Sequence, residues 1–446
     1  METNMNSPID TISPALNQDA DATLKRAYAR AEWRIVPLLF ALWLLAWVDR
    51  ANVSFAKLQM LSDLRFSEAV YGFGAGLFFL GYVIFGVPST LFQQRVGARK
   101  TIAAITIGWG ATSIAMTFIR GPMAFYALRF LLGVFEAGFY PGVILYFTYW
   151  FPAKRRTRNF SIFHSAAICS TVVVGLTGSA VLEHMSGYLG VAGWRWMFLF
   201  QAAPTLLLGC VAVFVLPDRP AGARWLTDEQ KRLIESDLGR ENSKMAGRED
   251  RPWASLRTPR IWNLILIYFC ILSANAALSF YIPTILKEAG FGGYSAIGNA
   301  LAAICVLGAL LNVAFSSHAA RRDEIRYHCA VASVVSVVSL IALVFVWHEN
   351  RVATFVLLVT ALAGTGAGIS LFWQIPGRML SGSAAAVGIS FISSAANLAG
   401  FFTPWLTGLV RTLTGHYTSS FLTVACIQAI AAIALFAWTP VPGSEK

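Results

Sequence analysis

Four ionisable residues stand where an apolar chain should carry none. Asp49, Arg50, Arg129 and Glu136 lie deep in apolar runs, and such a group in a membrane-spanning helix costs about 2.5–3.5 kcal/mol on insertion scales. Each therefore needs a partner or a task. Arg129, Gly133 and Glu136 are spaced i, i+4, i+7 and share one helix face. Trp43, Trp47 and Arg50 repeat that spacing, with Asp49 about 100° round the helix. Two carboxylates and two guanidiniums can thus point at one cavity. A guanidinium stays charged and offers a planar fork that fits a carboxylate. A desolvated Asp or Glu can take up and release a proton in the working pH range. Together they are the chemistry of anion binding coupled to proton movement. A cluster that only glues two helices is the competing reading, but Gly, Ser and Thr do that more cheaply in lipid.

The C-terminal half supplies no strong charge to such a cavity. It offers Ser273 and Asn275, then Ser370, Trp373 and Gln374, then Ser393, Ser394 and Asn397. These amides, hydroxyls and one indole could bind hydroxyl groups or a second carboxylate, although for any one of them an interhelical hydrogen bond is the better explanation. His164 is a further titratable group, read first as a capping or headgroup residue near the start of its span. No HExxH, GxSxG or metal-spaced His/Cys cluster occurs, so no catalytic machinery and no cofactor are expected. Gly72–Gly76 and Gly364–Gly368 imitate phosphate loops, yet both lie in apolar runs without Lys-Ser or Lys-Thr, and close helix packing accounts for them.

The elements that must position these groups are membrane spans. Of 446 residues 56% are hydrophobic and 13% charged, against about 25% charged in a soluble domain. With a mean hydropathy of +0.59, a water-soluble enzyme is excluded. Apolar runs recur near 35–57, 69–91, 101–119, 123–149, 160–182 and 196–216, and again near 261–283, 295–317, 328–347, 352–374, 384–409 and 418–439. Each suits one crossing of about 20 residues. The expected fold is all-α and polytopic, with twelve transmembrane helices in two pseudo-symmetric six-helix bundles. The divisions are a tail over 1–32, read as disordered, a bundle over 33–216, a linker over 217–260, a bundle over 261–440 and a tail over 441–446. Pro88, Pro141, Pro283 and Pro404 are read as kinking or ending helices.

The net charge of +12 comes from short basic clusters between spans, with no stripe suited to nucleic acid. Placing both termini in the cytoplasm puts twenty-six basic residues inside and seven outside, Lys57 among the latter, which fixes the topology. Residues 1–30 are polar and contain no h-region with a cleavage site, so no cleavable signal peptide is expected there. The six cysteines are dispersed singly and read as packing residues. An inner-membrane protein with both termini cytoplasmic is expected, its partners being lipid, protons and a small anion, with a monomer sufficient.

Three segments carry a family resemblance: Val48-Asp49-Arg50-Ala51-Asn52-Val53; Val70 to Gly76 followed by Gly97-Ala98-Arg99-Lys100; and Arg129 through Gly142. On these the chain resembles the major facilitator superfamily over all twelve spans, and within it the anion:cation symporters, notably bacterial permeases for tartrate, phthalate and sugar acids. The resemblance implies proton-driven uptake of an organic anion. Arg50 would hold the substrate carboxylate, Asp49 and Glu136 would carry protons, Arg129 would balance them, and Trp47, Tyr82 and the polar residues of spans 10 and 11 would line the site. Gln94 departs from the superfamily pattern, which places an acid before the loop arginine, so a gating salt bridge there is in doubt. Trp43, Trp47 and Trp373 would suit an aromatic acid, and the polar C-terminal half a hydroxy acid such as tartrate. An exchanger without proton coupling is the alternative mechanism.

Overall fold

The computed structural model describes residues 14–245, 258–322, 324–379 and 382–437. The extreme termini and residues 246–257 of the linker lie outside them. The described chain is helical almost throughout: α1 (Pro14–Leu64), α2 (Glu68–Val96), α3 (Ala98–Ala115), α4 (Pro122–Glu136), α5 (Phe139–Trp150), α6 (Ala153–His184) and α7 (Gly193–Val215) form the first half. The linker carries α8 (Asp228–Met245). The second half contains α9 (Pro259–Glu288), α10 (Tyr294–Arg322), α11 (Ile325–Val346), α12 (Arg351–Phe372), α13 (Gln374–Met379), α14 (Gly382–Ala396), α15 (Ala399–Thr414) and α16 (Tyr417–Ala437).

Among the described residues eleven segments are long and apolar enough to cross a membrane. The twelfth crossing is α14 followed by α15, whose 15 and 16 residues are each too short for a bilayer that needs about 20. Two other spans are interrupted for a visible reason. Pro141 and Pro376 have no N–H to offer the carbonyl four residues earlier, and the helix breaks there, after Glu136 and after Phe372. Pro88, Pro283 and Pro404, by contrast, sit inside continuous helices.

Residues 14–30 are not a loose tail. They extend α1 by more than four turns, because non-local contacts outweigh their polarity. Ala27, Tyr28 and Ala31 are buried, Tyr28 Oη donates to Asp237 Oδ2 of α8 at 2.7 Å, and Arg30 Nη1 donates to the Trp225 carbonyl at 3.2 Å. Trp225 in turn stacks on Trp150. The linker is thereby clamped to the first half.

The two halves meet where α2 packs on α15, α6 on α10 and α1 on α9. The glycine motif of α2 makes the first of these contacts possible. A Cβ on Gly72 would collide with the Pro404 carbonyl, and one on Gly76 would stand 2.6 Å from the Phe401 carbonyl. Helix packing, rather than phosphate binding, is the use of this motif. Gly364 serves similarly against the Ala332 carbonyl of α11.

Candidate functional site

Spans 1 and 4 do converge. Arg50 Nε lies 2.5 Å from Glu136 Oε1, with Glu136 fully buried and 13% of the Arg50 side chain still accessible. The contact needs α2 to lie tightly between its neighbours, and Gly133 allows this, since a Cβ there would strike the Phe78 carbonyl. Phe78 then closes one wall. The Arg50 guanidinium sits 4.9–5.4 Å from the ring centroids of Trp43, Trp47, Phe78 and Tyr82. Four aromatic faces hold it by cation–π attraction while excluding water.

Asp49 points elsewhere. Its Oδ2 accepts from the indole N–H of Trp109 on α3 at 2.5 Å, and Asn52 Nδ2 donates to Oδ1 at 3.2 Å. Arg129 is 1% exposed and its Nη2 donates to the Ala75 carbonyl at 3.1 Å. No ion pair joins it to either acid among the described residues. Its guanidinium lies 5.2 Å from the centroid of the Phe78 ring, which also faces Arg50.

Several polar atoms in this cluster are buried and unpartnered: Arg50 Nη2, the indole nitrogens of Trp43 and Trp47, and Glu136 Oε2. Leaving such a group unpaired costs about 1–3 kcal/mol. The cluster thus holds three unpartnered donors, Arg50 Nη2 and the two indole N–H groups, and one unpartnered acceptor, Glu136 Oε2.

The hydrogen bonds of the residues expected from the second half stay within that half. Trp373 donates from Nε1 to Tyr268 Oη at 3.0 Å, and Tyr268 stacks on Phe372 at 4.5 Å. Ser370 donates to the Gly366 carbonyl and accepts weakly from Asn312 of α10 at 3.5 Å, which is the interhelical role. Asn397 Nδ2 donates to the Ser393 carbonyl at 2.8 Å. Ser273 is buried and donates to the Phe269 carbonyl, and Asn275 is half-buried. Gln374 and Ser394 are exposed. His164 lies within α6 rather than at a cap, beside the rings of Phe160 and Tyr140.

Sequence reasoning missed Trp109, Tyr140 and Tyr268. Tyr140 lies 5.1 Å from Trp43, four residues after Glu136, a spacing that could have exposed it. Trp109, an aromatic in an apolar run, carried no signal. Asp218 of the linker approaches this loop: its Oδ1 accepts from the Arg99 backbone N–H at 2.8 Å, beside Gly97 with its positive φ of 97°.

The model of one protein family, described as the Major Facilitator Superfamily, matches residues 38–388. This chain belongs to that superfamily. It is 39% identical over 412 residues to an Agrobacterium vitis protein named as a candidate tartrate transporter, covering 92% of this chain and 90% of that one. Over 402 residues it is 38% identical to the Pseudomonas putida metabolite transport protein NicT, covering 90% and 91%. Among solved structures, a bacterial homologue of the lysosomal transporter Spinster, inward-facing and unoccupied, superposes with a TM-score of 0.77 at 16% identity, covering 92% of this chain and 99% of that one. A D-xylose–proton symporter gives 0.75 at 15%, covering 93% and 99%. The superfamily fold of two six-helix bundles is thereby established, and the protein is a multi-pass membrane transporter rather than an enzyme. It resembles the tartrate permeases.

Proposed function

We propose that this transporter takes up a small organic anion, a tartrate-like hydroxy dicarboxylate, together with protons by alternating access. The unpartnered donors around Arg50 carry the reading. An incoming carboxylate would occupy Arg50 Nη2 and the indole N–H groups of Trp43 and Trp47, replacing three unpaired atoms by charge-assisted hydrogen bonds. Glu136 competes for the same guanidinium through Nε, so its protonation would free Arg50 for substrate, and Asp49 would be the second proton carrier. Tyr82, Arg129, Trp373 and the polar residues of α12–α15 would complete the surroundings. The relatives named for tartrate favour this class of anion. The protein would lie in the inner membrane with both termini cytoplasmic, following its basic residues, as bundles 33–216 and 261–440 about the linker 217–260, and would function as a monomer.

The aromatic cage around Arg50 favours a second substrate class, an aromatic carboxylate whose ring could stack on Trp47. Thermal-shift screening of tartrate, phthalate and sugar acids decides between them, because a ligand that binds only the folded state raises its stability. Uptake into proteoliposomes with and without an inward proton gradient tests the coupling. Equal uptake in both would show exchange without protons.

A further inference from the structure

Lys57 was expected in an outer loop, but it lies inside α1 and is 3% exposed. It stands seven residues after Arg50, two turns or about 10 Å along the same helix face, toward the C-terminal end of α1. Lys57 Nζ lies 2.9 Å from Glu68 Oε2 and donates to Tyr417 Oη at 2.7 Å. Tyr417 in turn donates to Glu68 Oε1. The ammonium also sits 4.3–5.0 Å from the ring centroids of Tyr71, Tyr281 and Tyr417. Lys57 and Glu68 belong to the first half, and Tyr281 and Tyr417 to the second. Around this triad Tyr281 Oη donates to the Pro404 carbonyl at 3.0 Å, Lys287 Nζ to the Leu58 carbonyl at 3.0 Å, and the Ala69 N–H to Thr412 Oγ1 at 3.1 Å. Ser295 N–H donates to Glu183 at 2.6 Å between α10 and α6.

We propose that Lys57, Glu68 and Tyr417 form a latch that holds this end closed, with Tyr417 as the part that leaves when the end opens. The charge distribution suits that task. The ion pair is contained within one half, so within the triad separating the halves breaks only the two bonds to a neutral hydroxyl and slides the ammonium off two rings, while around it the Lys287–Leu58 and Ala69–Thr412 hydrogen bonds part as well. Neither charge is stranded, and a stranded buried charge is the costly outcome. Arg411, 4.8 Å from the centroid of the Tyr417 ring, holds that ring from within its own half. The latch depends on alternating access and on no particular substrate or coupling ion.

The test is the distance between spin labels at exposed positions 62 and 413, measured by pulsed electron resonance on the full chain with its exposed native cysteines replaced. Tyr417→Phe keeps the ring and removes both cross-half hydrogen bonds. It should raise the open-to-closed ratio at this end by about a hundred-fold or more, the effect of two hydrogen bonds to ionised groups. Lys57→Met, which removes the ammonium and retains an apolar stem, should shift it the same way. Distance distributions unchanged from the parent in both variants, each monodisperse and with its helical content intact, would overturn the latch. Because no substrate is added, failure of the anion-uptake reading leaves this measurement unaffected.

Discussion

The indole N–H of Trp109 on α3 donates to Oδ2 of Asp49 on α1 at 2.5 Å, in a fully buried position. Asp49 is therefore held by a neutral donor while Glu136, on the other side of the cluster, is held by the Arg50 guanidinium. The two acids have different partners and should respond differently to the loss of one.

Trp109→Phe keeps the aromatic bulk and deletes the N–H. A hydrogen bond donated to the charged form favours that form, and one to an ionised group is worth about 1.5–3 kcal/mol. Gradient-driven uptake should fall by about ten-fold or more, because the carboxylate loses a charge-assisted donor, with substrate affinity little changed. Unchanged gradient-driven uptake would remove Asp49 from the coupling pathway.

Arg50→Lys keeps the charge and loses the fork. An ammonium at that position can satisfy Glu136 but cannot also present a second N–H in the plane of a carboxylate. Substrate binding, read by calorimetry or thermal shift, should weaken by about ten-fold to a hundred-fold. Wild-type affinity would mean that Arg50 is not the ligand and that its pair with Glu136 is structural.

Gly133→Ala probes the packing that builds the site. The new methyl meets the backbone carbonyl of Phe78, which cannot rotate away as a side chain could, so α2 and α4 must separate. Overpacking of this kind costs about 1–3 kcal/mol. Because Phe78 faces both Arg50 and Arg129, the variant should lose substrate affinity as well as thermal stability in detergent. A lower melting temperature with unchanged affinity would separate the fold from the site.

Part of this arrangement was legible in the sequence because charge in an apolar span is expensive and therefore conspicuous. Arg50 and Glu136 come together as the helical spacing allowed, with Trp47 on the same face of α1, whereas Tyr82 beside them was implied by the family resemblance alone. The span pattern was legible too, apart from proline effects that depend on where a helix begins. Lys57 was misplaced for a simple reason: hydropathy ends a span at the first lysine, whereas here the ammonium is buried by an acid and three tyrosines from elsewhere in the chain. Trp109 was invisible because a tryptophan that packs and one that also donates a hydrogen bond look alike in one dimension. The helix over residues 14–30 likewise depends on the linker more than two hundred residues away.

Glu136→Gln tests the coupling most directly. Glu136 Oε1 accepts from Arg50 Nε at 2.5 Å while Oε2 has no partner. A glutamine can keep the first contact through its carbonyl oxygen and resembles the protonated acid, but it can release no proton. The variant should bind substrate and catalyse counterflow near the parental rate, yet fail to accumulate substrate against a gradient. The expected deficit depends on charge. If two protons enter with a monoanion, a potential of about 100 mV contributes about 2.3 kcal/mol for the one net charge, roughly fifty-fold accumulation; with a dianion and two protons only the pH gradient drives uptake. Counterflow and gradient-driven uptake should therefore be measured on one preparation, with the potential clamped and unclamped. Loss of both activities would make Glu136 a structural partner of Arg50. Retention of both would show that it carries no proton, leaving Asp49 as the remaining acid of the cluster.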